Sequence, residues 1–272
     1  MTSQRVGLVG SGNLARALVL GFLAAGMPAD RIWVTNRSDD GRLDVFRKLG
    51  CHAVRDKAEL CGAAEILLLA FKPKDASGAL QELRPHLTGG HLVISCLAGI
   101  PLAFIEGLLG TPSRVVRAMP NTASGVRASA TAISPGSAAT KADLQTARAL
   151  LLSVGEAWII PEEWMDAATA VAGSGPAYVY LFVEALADAA VASGLPPDIA
   201  LAMVEQTVFG AIRLAQASPD SPSTLRAQVS SPGGTTVAAI EVLERERFCH
   251  AIREAVRAAI DRSRELGRLW SQ

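Results

Sequence analysis

Two short stretches of this chain combine residue types that organise anions. The first, Gly10-Ser11-Gly12-Asn13-Leu14-Ala15, follows the apolar run Val6 to Val9 and opens an alanine-rich amphipathic segment that reaches Gly26. Strand, glycine turn and helix in that order begin a dinucleotide-binding βαβ unit. In such a unit Gly10 permits the turn, Gly12 lets the backbone approach a pyrophosphate, and the small Ala15 lets the helix pack closely on the strand. The helix N-terminus, with its unbonded N–H groups and the positive end of its dipole, then faces the diphosphate. The second stretch, Ser230-Ser231-Pro232-Gly233-Gly234-Thr235-Thr236, lies between two helical patterns. Its glycines precede a helix whose first amides belong to Thr235 and Thr236, an arrangement able to hold a carboxylate through backbone N–H and hydroxyl groups. A plain N-cap and hinge would use the same residues.

The elements that position a dinucleotide follow along the chain. Arg31 to Thr35 alternates like a short strand and ends at Asn36-Arg37-Ser38, about where an acidic residue would hold the adenosine 2′-hydroxyl. No carboxylate stands there. Guanidinium offers paired donors to phosphate oxygens, so Arg37 between Asn36 and Ser38 favours NADPH, with NADH as the alternative coenzyme; the competing reading makes Arg37 a solvated loop residue. Glu65 to Ala70 is a continuous apolar run expected of a central parallel strand, and it ends in Phe71-Lys72-Pro73. Ligands bind outside the carboxyl ends of such strands, which places Ala70, Phe71, Lys72 and Pro73 at a cofactor ribose or nicotinamide. Lys72 would equally begin the helix running to Leu83. His91 to Cys96 forms the next buried strand, and the small residues of Ala98-Gly99-Ile100-Pro101 admit a flat ring beside Cys96 and Ala98. Arg114 to Ala118 is followed by the polar turn Met119-Pro120-Asn121-Thr122, where Asn121 is either a ligand contact or a turn residue.

Ala128 to Ile133 and Glu156 to Ile160 read as added strands flanking a helix from Lys141 to Ser153. Beyond Pro161 the strand pattern stops, and helices are expected over Ala167 to Ser193, Pro197 to Gln216, Ser223 to Val229, Thr236 to Glu244 and Arg247 to Leu269. The expected fold is α/β: a Rossmann-like doubly wound sheet in residues 1–161, followed by an all-helical domain in residues 162–272. Gly173-Ser174-Gly175-Pro176 breaks helix rules inside the first of those helices.

The 26 basic and 26 acidic residues balance, so the chain has no field to attract nucleic acid or an anionic membrane, and a small molecule is the expected partner. With 272 residues, half of them apolar, a sizeable core is available. Cys51, Cys61, Cys96 and Cys249 form no C-x-x-C pair and read as reduced structural thiols, which together with the lack of a signal-peptide pattern points to the cytoplasm. The apolar stretch Ala167 to Gly194 is interrupted by Gly173, Gly175, Pro176, Glu184 and Asp188, which argues against a membrane span and for an interface helix at the centre of a homodimer or a larger assembly of dimers. The four histidines show no metal-ligand spacing, and no metal is expected. No serine–histidine or cysteine–histidine arrangement suggests covalent catalysis.

Taken together, Gly10-x-Gly12-Asn13, Lys72-Pro73, Ala98-Gly99-Ile100, Arg117-x-Met119-Pro120-Asn121-Thr122, Thr169-Ala170 with Gly173 to Tyr178, and Ser231 to Thr236 resemble the pyrroline-5-carboxylate reductase family over nearly the whole chain. The resemblance implies an N-terminal Rossmann domain, a helical dimerisation domain, and NAD(P)H-dependent reduction of a cyclic imine to L-proline. It further implies that Ser231, Gly233, Gly234, Thr235 and Thr236 hold the substrate carboxylate, with Thr236 as the catalytic candidate beside the ring nitrogen, and it makes Glu162 an extra candidate near the substrate. Leu14, Phe71 and Ala172 depart from residues common in that family; none removes a donor or charge that the chemistry requires. A protonated imine is already a strong electrophile, so the protein's part is positioning and a carboxylate anchor. Two other readings are a reductase of a related cyclic imino acid and a non-catalytic NADP-binding regulator. An intact Ser231 to Thr236 loop disfavours the regulator. A 3-hydroxyacid dehydrogenase would use a lysine in the helical half, and none occurs from Ala167 to Gln228.

Overall fold

The computed structural model describes residues 4–38, 41–110 and 112–270. Its described residues divide into two compact units: those up to Ser174 together with those from Ala258 onward, and Gly175–Arg257.

In the first unit, strands and helices alternate as β1 (Val6–Val9), α1 (Asn13–Ala24), β2 (Ile32–Thr35), α2 (Arg42–Lys48), β3 (His52–Val54), α3 (Lys57–Ala63), β4 (Ile66–Leu69), α4 (Ala76–Leu83), β5 (Leu92–Ser95), α5 (Leu102–Leu109) and β6 (Arg114–Met119). Then come β7 (Ser129–Pro135), α6 (Lys141–Leu152), β8 (Gly155–Ile159) and α7 (Met165–Ala168). The strands form one sheet in the order β3-β2-β1-β4-β5-β6-β7-β8, whose first six members are parallel. This is the doubly wound order, with the reversal between β1 and β4 that opens a crevice at the carboxyl ends. β7 runs antiparallel against β6, and β8 runs parallel to β7, so both reverse the direction of the first six strands.

The apolar runs are continuous because both sheet faces are covered. Along β4, Ile66 and Leu68 enter one core with Leu8, Val34 and Ile94, while Leu67 and Leu69 enter the other with Val9 and Val93. Two-residue alternation thus sends every other side chain of β4 to each face, and both faces call for apolar residues there. Cys51, Cys61 and Cys96 are buried and unpaired, and Cys249 is exposed and unpaired. Burial pushes the Cys51 and Cys61 thiols up to about 11 and that of Cys96 to about 12, so all three stay protonated and inert.

The stretch expected as one helix from Ala167 to Ser193 is instead α7, a π-helical turn over Thr169–Gly173, and then α8 (Gly175–Ala192). The cause is local. Pro176 has no N–H for the Ala172 carbonyl, and the turn widens so that Ser174 N–H reaches Thr169 O at 2.9 Å. The Ala172 carbonyl accepts instead from Asn121 Nδ2 at 2.8 Å.

The second unit holds α8, α9 (Pro197–Ala217), α10 (Pro222–Gln228), α11 (Thr235–Arg245) and the first part of α12 (Phe248–Arg268). Apolar side chains stand exposed along it, among them Leu181 and Phe182 on α8 and Met203, Phe209 and Ile212 on α9. Among the described residues one helical stretch, Glu162–Ala192, is long and apolar enough to cross a membrane by length and composition. The closing turns of α12 belong to the first unit, where Ser263 Oγ donates to Asp166 Oδ1 at 2.6 Å and the Trp270 ring lies 5.0 Å from that of Phe104.

Candidate functional site

The carboxyl ends of β1, β2 and β4 border a cleft of about 700 Å³ in the first unit. Hydrogen bonds from Gly10 N–H to Thr35 O (2.9 Å) and from Ala70 N–H to Val9 O (2.8 Å) bring these three ends together. Of the residues expected at a dinucleotide, Gly10, Ser11, Gly12, Asn13, Leu14, Asn36, Arg37, Ser38, Ala70, Phe71 and Lys72 all line it. Pro73, Cys96 and Ala98 are not in its wall.

The two glycines of the turn have different physical tasks. Gly10 sits at φ +115°, and a Cβ there would lie 2.5 Å from the Ala70 carbonyl oxygen, so the glycine is what lets β1 and β4 close on each other. Gly12 has an ordinary extended conformation, and a Cβ there would meet nothing within 4 Å. That space is the approach to the α1 N-terminus. No side chain caps α1 and no acidic residue stands in its first turn, so its leading N–H groups and dipole are presented uncompensated. The Ser11 hydroxyl is buried without a hydrogen-bond partner among the described residues, as expected of a group that completes its bonding with a ligand oxygen.

The cleft wall is cationic. Among the described residues, Arg16, Arg37, Arg42, Arg55, Lys57 and Lys72 line it together with the carboxylates Asp75 and Glu82. Lys57 is in direct ion-pair contact with Glu82, and Arg37 Nη2 lies 3.9 Å from Asp75 Oδ1. The amides, the hydroxyl and the cations fit a dinucleotide diphosphate bearing an additional phosphate. Arg16, Arg42, Arg55 and Lys57 are absent from the expected site. Lys57 had a signal, since it follows a strand pattern at its carboxyl end as Lys72 does. Asp75 lies in the turn that directly follows Lys72, whereas Glu82 had no signal, because only the packing of α4 turns it toward this cleft.

Asn121, open between ligand and turn, makes structural bonds: Oδ1 accepts from Ala123 N–H at 3.0 Å, and Nδ2 serves the Ala172 carbonyl. Glu162, the extra candidate near the substrate, accepts from Arg117 Nη1 at 2.9 Å and from the Leu102 amide at 2.8 Å. It thereby ties the start of α5 to a nearly buried arginine on β6.

In the second unit, residues 230–236 form a tight turn in which Gly234 N–H donates to Ser231 O at 2.9 Å. Gly233 adopts φ +71°, which a side chain would disfavour, and Gly234 is the N-cap of α11 with no side-chain cap. The turn thus presents the first α11 amides, with Thr235 and Thr236, at an uncapped helix N-terminus.

Comparison with known proteins adds a second line. The family model described as pyrroline-5-carboxylate reductase dimerisation matches residues 162–266, and the one described as NADP oxidoreductase, coenzyme F420-dependent, matches residues 5–99. Pyrroline-5-carboxylate reductase 2 of Bacillus subtilis is 40% identical, with 97% of this chain and 95% of that protein covered. The pyrroline-5-carboxylate reductase of Methanosarcina acetivorans is 39% identical, with 98% and 100% covered. Among solved structures, Plasmodium falciparum pyrroline carboxylate reductase with NADP bound superposes with a TM-score of 0.89 at 29% identity, covering 98% of this chain and 99% of that one. The Coxiella burnetii pyrroline-5-carboxylate reductase gives 0.88 at 40% identity, covering 97% and 99%. With the glycine turn, the cationic cleft and the uncapped Ser231–Thr236 turn all in place along a full-length match, the chain belongs to the pyrroline-5-carboxylate reductase family.

Proposed function

We propose that this protein reduces 1-pyrroline-5-carboxylate to L-proline with NADPH, the last step of proline synthesis. The observation that carries the reading is the pairing of an open, cationic dinucleotide cleft with an uncapped Ser231–Thr236 turn in a chain that matches pyrroline-5-carboxylate reductases from end to end. Bound NADPH supplies the hydride that adds to the imine carbon. The chain's residues hold the partners. The α1 amides and the Ser11 hydroxyl bind the diphosphate, and Arg37 binds the 2′-phosphate. Gly10, Gly12, Asn13, Leu14, Asn36, Ser38, Ala70, Phe71 and Lys72 complete the coenzyme contacts within the cleft. The Thr235 and Thr236 amides, with Ser231, Gly233 and Gly234, bind the substrate carboxylate, and the Thr236 hydroxyl orients the ring nitrogen. That nitrogen already carries its proton in the iminium form, so after hydride addition the product is the secondary amine and no side chain has to act as an acid.

In this reading residues 1–161 are the coenzyme domain and residues 162–272 the substrate and dimerisation domain. The apolar α8 surface is covered by a second copy of the chain in a homodimer, or in a larger assembly of dimers. Three buried unpaired thiols suit a reducing cytoplasm. The test is coenzyme oxidation with pyrroline-5-carboxylate, run separately with NADPH and NADH. Turnover with NADPH is expected, and Arg37→Asp should raise the Michaelis constant for NADPH far more than that for NADH. No oxidation with either coenzyme would overturn the activity; equal shifts would remove Arg37 from the 2′-phosphate.

A further inference from the structure

The cationic wall of the coenzyme cleft contains its own anionic competitor. Strands β2 and β3 lie side by side with Thr35 opposite Val54, so the segments leaving their carboxyl ends are neighbours. The Thr35 hydroxyl, donating to Arg55 O at 3.2 Å, ties those exits together. In a doubly wound fold the adenosine ribose sits at the end of β2. Lys57, at the start of α3, therefore stands beside the Arg37 loop, and both line the cleft. Glu82, reaching in from α4, is ion-paired with the Lys57 ammonium. The lysine is largely shielded, with 17% of its side chain exposed, while the glutamate is 54% exposed. The ammonium, and the nearby Arg37, hold the Glu82 carboxyl below the usual carboxylate range, so it is charged at neutral pH.

We propose that Lys57 and Glu82 together set the coenzyme preference: Lys57 is a second cation for the 2′-phosphate, and Glu82 is the anion that this phosphate must displace from it. The inference rests on the coenzyme assignment above and extends it. A phosphate dianion gains charge-assisted hydrogen bonds from a partly shielded ammonium, whereas a 2′-hydroxyl, being neutral, has no comparable means of detaching Lys57 from a carboxylate. Glu82 thus opposes the phosphorylated coenzyme and leaves the unphosphorylated one nearly unaffected.

The experiment uses probes that differ only in the phosphate at issue, adenosine 2′,5′-bisphosphate and 5′-AMP, titrated calorimetrically into the full-length protein at fixed salt. Glu82→Gln should tighten the bisphosphate by about two- to fivefold, the range of an exposed ion pair, and leave AMP unchanged. Lys57→Met should weaken the bisphosphate by about tenfold or more, again sparing AMP. In the Lys57→Met background the Glu82→Gln gain should largely vanish, because no ammonium remains to be released. The proposal is overturned if Glu82→Gln leaves the preference for the bisphosphate unchanged or lowers it, if Lys57→Met does not lower it, or if the Glu82→Gln gain persists undiminished without Lys57. Imine reduction by the unaltered protein is measured separately, so failure of the proposed activity and failure of this inference give different results.

Discussion

Replacing each glycine of the β1–α1 turn by alanine, and Gly12 also by valine, should separate fold from coenzyme binding within three residues of sequence. At Gly10 an added Cβ would sit 2.5, 2.7 and 2.9 Å from the carbonyl oxygen and carbon of Ala70 and the nitrogen of Phe71, at φ +115°. All three atoms are backbone of a central sheet edge and cannot rotate aside. A positive φ alone costs about 1–3 kcal/mol, and forced separation of β1 from β4 adds to it, so Gly10→Ala should lose about 3–5 kcal/mol. At about 2–4 °C per kcal/mol for a chain of this size, that lowers Tm by about 6–20 °C. Gly12 is at φ −77° and ψ −175°, which any residue adopts, and its Cβ would enter open space. Gly12→Ala and Gly12→Val should therefore stay within about 1 kcal/mol of the parent, the small loss coming from glycine's advantage at an N-cap. The valine, however, fills the approach to the α1 amides. Loss of one hydrogen bond to a charged diphosphate, about 1.5–3 kcal/mol, lowers NADPH affinity by about tenfold to somewhat over a hundredfold. Differential scanning calorimetry and NADPH fluorescence titration at fixed protein concentration read the two effects. Parental NADPH affinity in Gly12→Val, or parental stability in Gly10→Ala, would refute the division of labour.

Glu162→Ala should cost about 3 kcal/mol in urea unfolding, because it leaves the 8%-exposed Arg117 unpaired, and Arg117→Met should cost less, because Glu162 is 35% exposed and keeps the Leu102 amide. The double variant should then be more stable than the sum of the single losses implies, and strict additivity would refute the pairing. Asp143 is buried, which raises its pKa, but hydrogen bonds from Arg114 and Thr140 outweigh this and hold it below the ordinary value. Its contribution is therefore present above the unfolded pKa of about 3.9 and is lost as pH falls through the lower folded one. Asp143→Asn should accordingly be destabilised by about 2–3 kcal/mol at pH 7, a difference that shrinks below about pH 4; a difference that grows on acidification would contradict the sign. Thr236→Ala should lower kcat/KM for the imine by roughly ten- to a hundredfold. Gly234→Val, whose Cβ would lie 3.0 Å from Ser231 O, should block carboxylate binding, both with NADPH affinity unchanged; undiminished imine reduction in Gly234→Val would place the carboxylate elsewhere. Sedimentation should show at least a dimer at micromolar concentration, and Phe182→Glu on the exposed α8 face should dissociate it; a stable parental monomer would contradict the covered-face reading.

Much of this molecule was legible along the chain because its signals are local. The continuous apolar run of Ile66 to Leu69, the glycine turn before α1, and the change to helical patterning after Pro161 each reside in a few consecutive residues whose backbone preferences and apolar spacing act together. The same holds for the Ser231 to Thr236 turn, where a glycine at positive φ and a following helix start are neighbours in sequence. Hence the doubly wound class, the eleven of fourteen expected residues that line the cleft, and the uncapped turn before α11 follow from residue types and spacing.

Tertiary structure decided what depends on residues brought together from afar. The antiparallel turn of β7 against β6 is a matter of pairing, which no local pattern encodes. Pro176 announces a broken helix, but that the break is a π-turn whose spare carbonyl is met by Asn121, 51 positions away, required the fold. Glu162, a candidate by resemblance alone, accepts from Arg117 and from the Leu102 amide, because a nearly buried guanidinium needs an anion within reach. Lys57 and Glu82 meet across 25 positions only because α3 and α4 pack on the same sheet face and send side chains to one cleft edge. Hydrophobic period and turn chemistry are properties of neighbouring residues, whereas the partner of a charge is set by which surfaces the whole chain buries together.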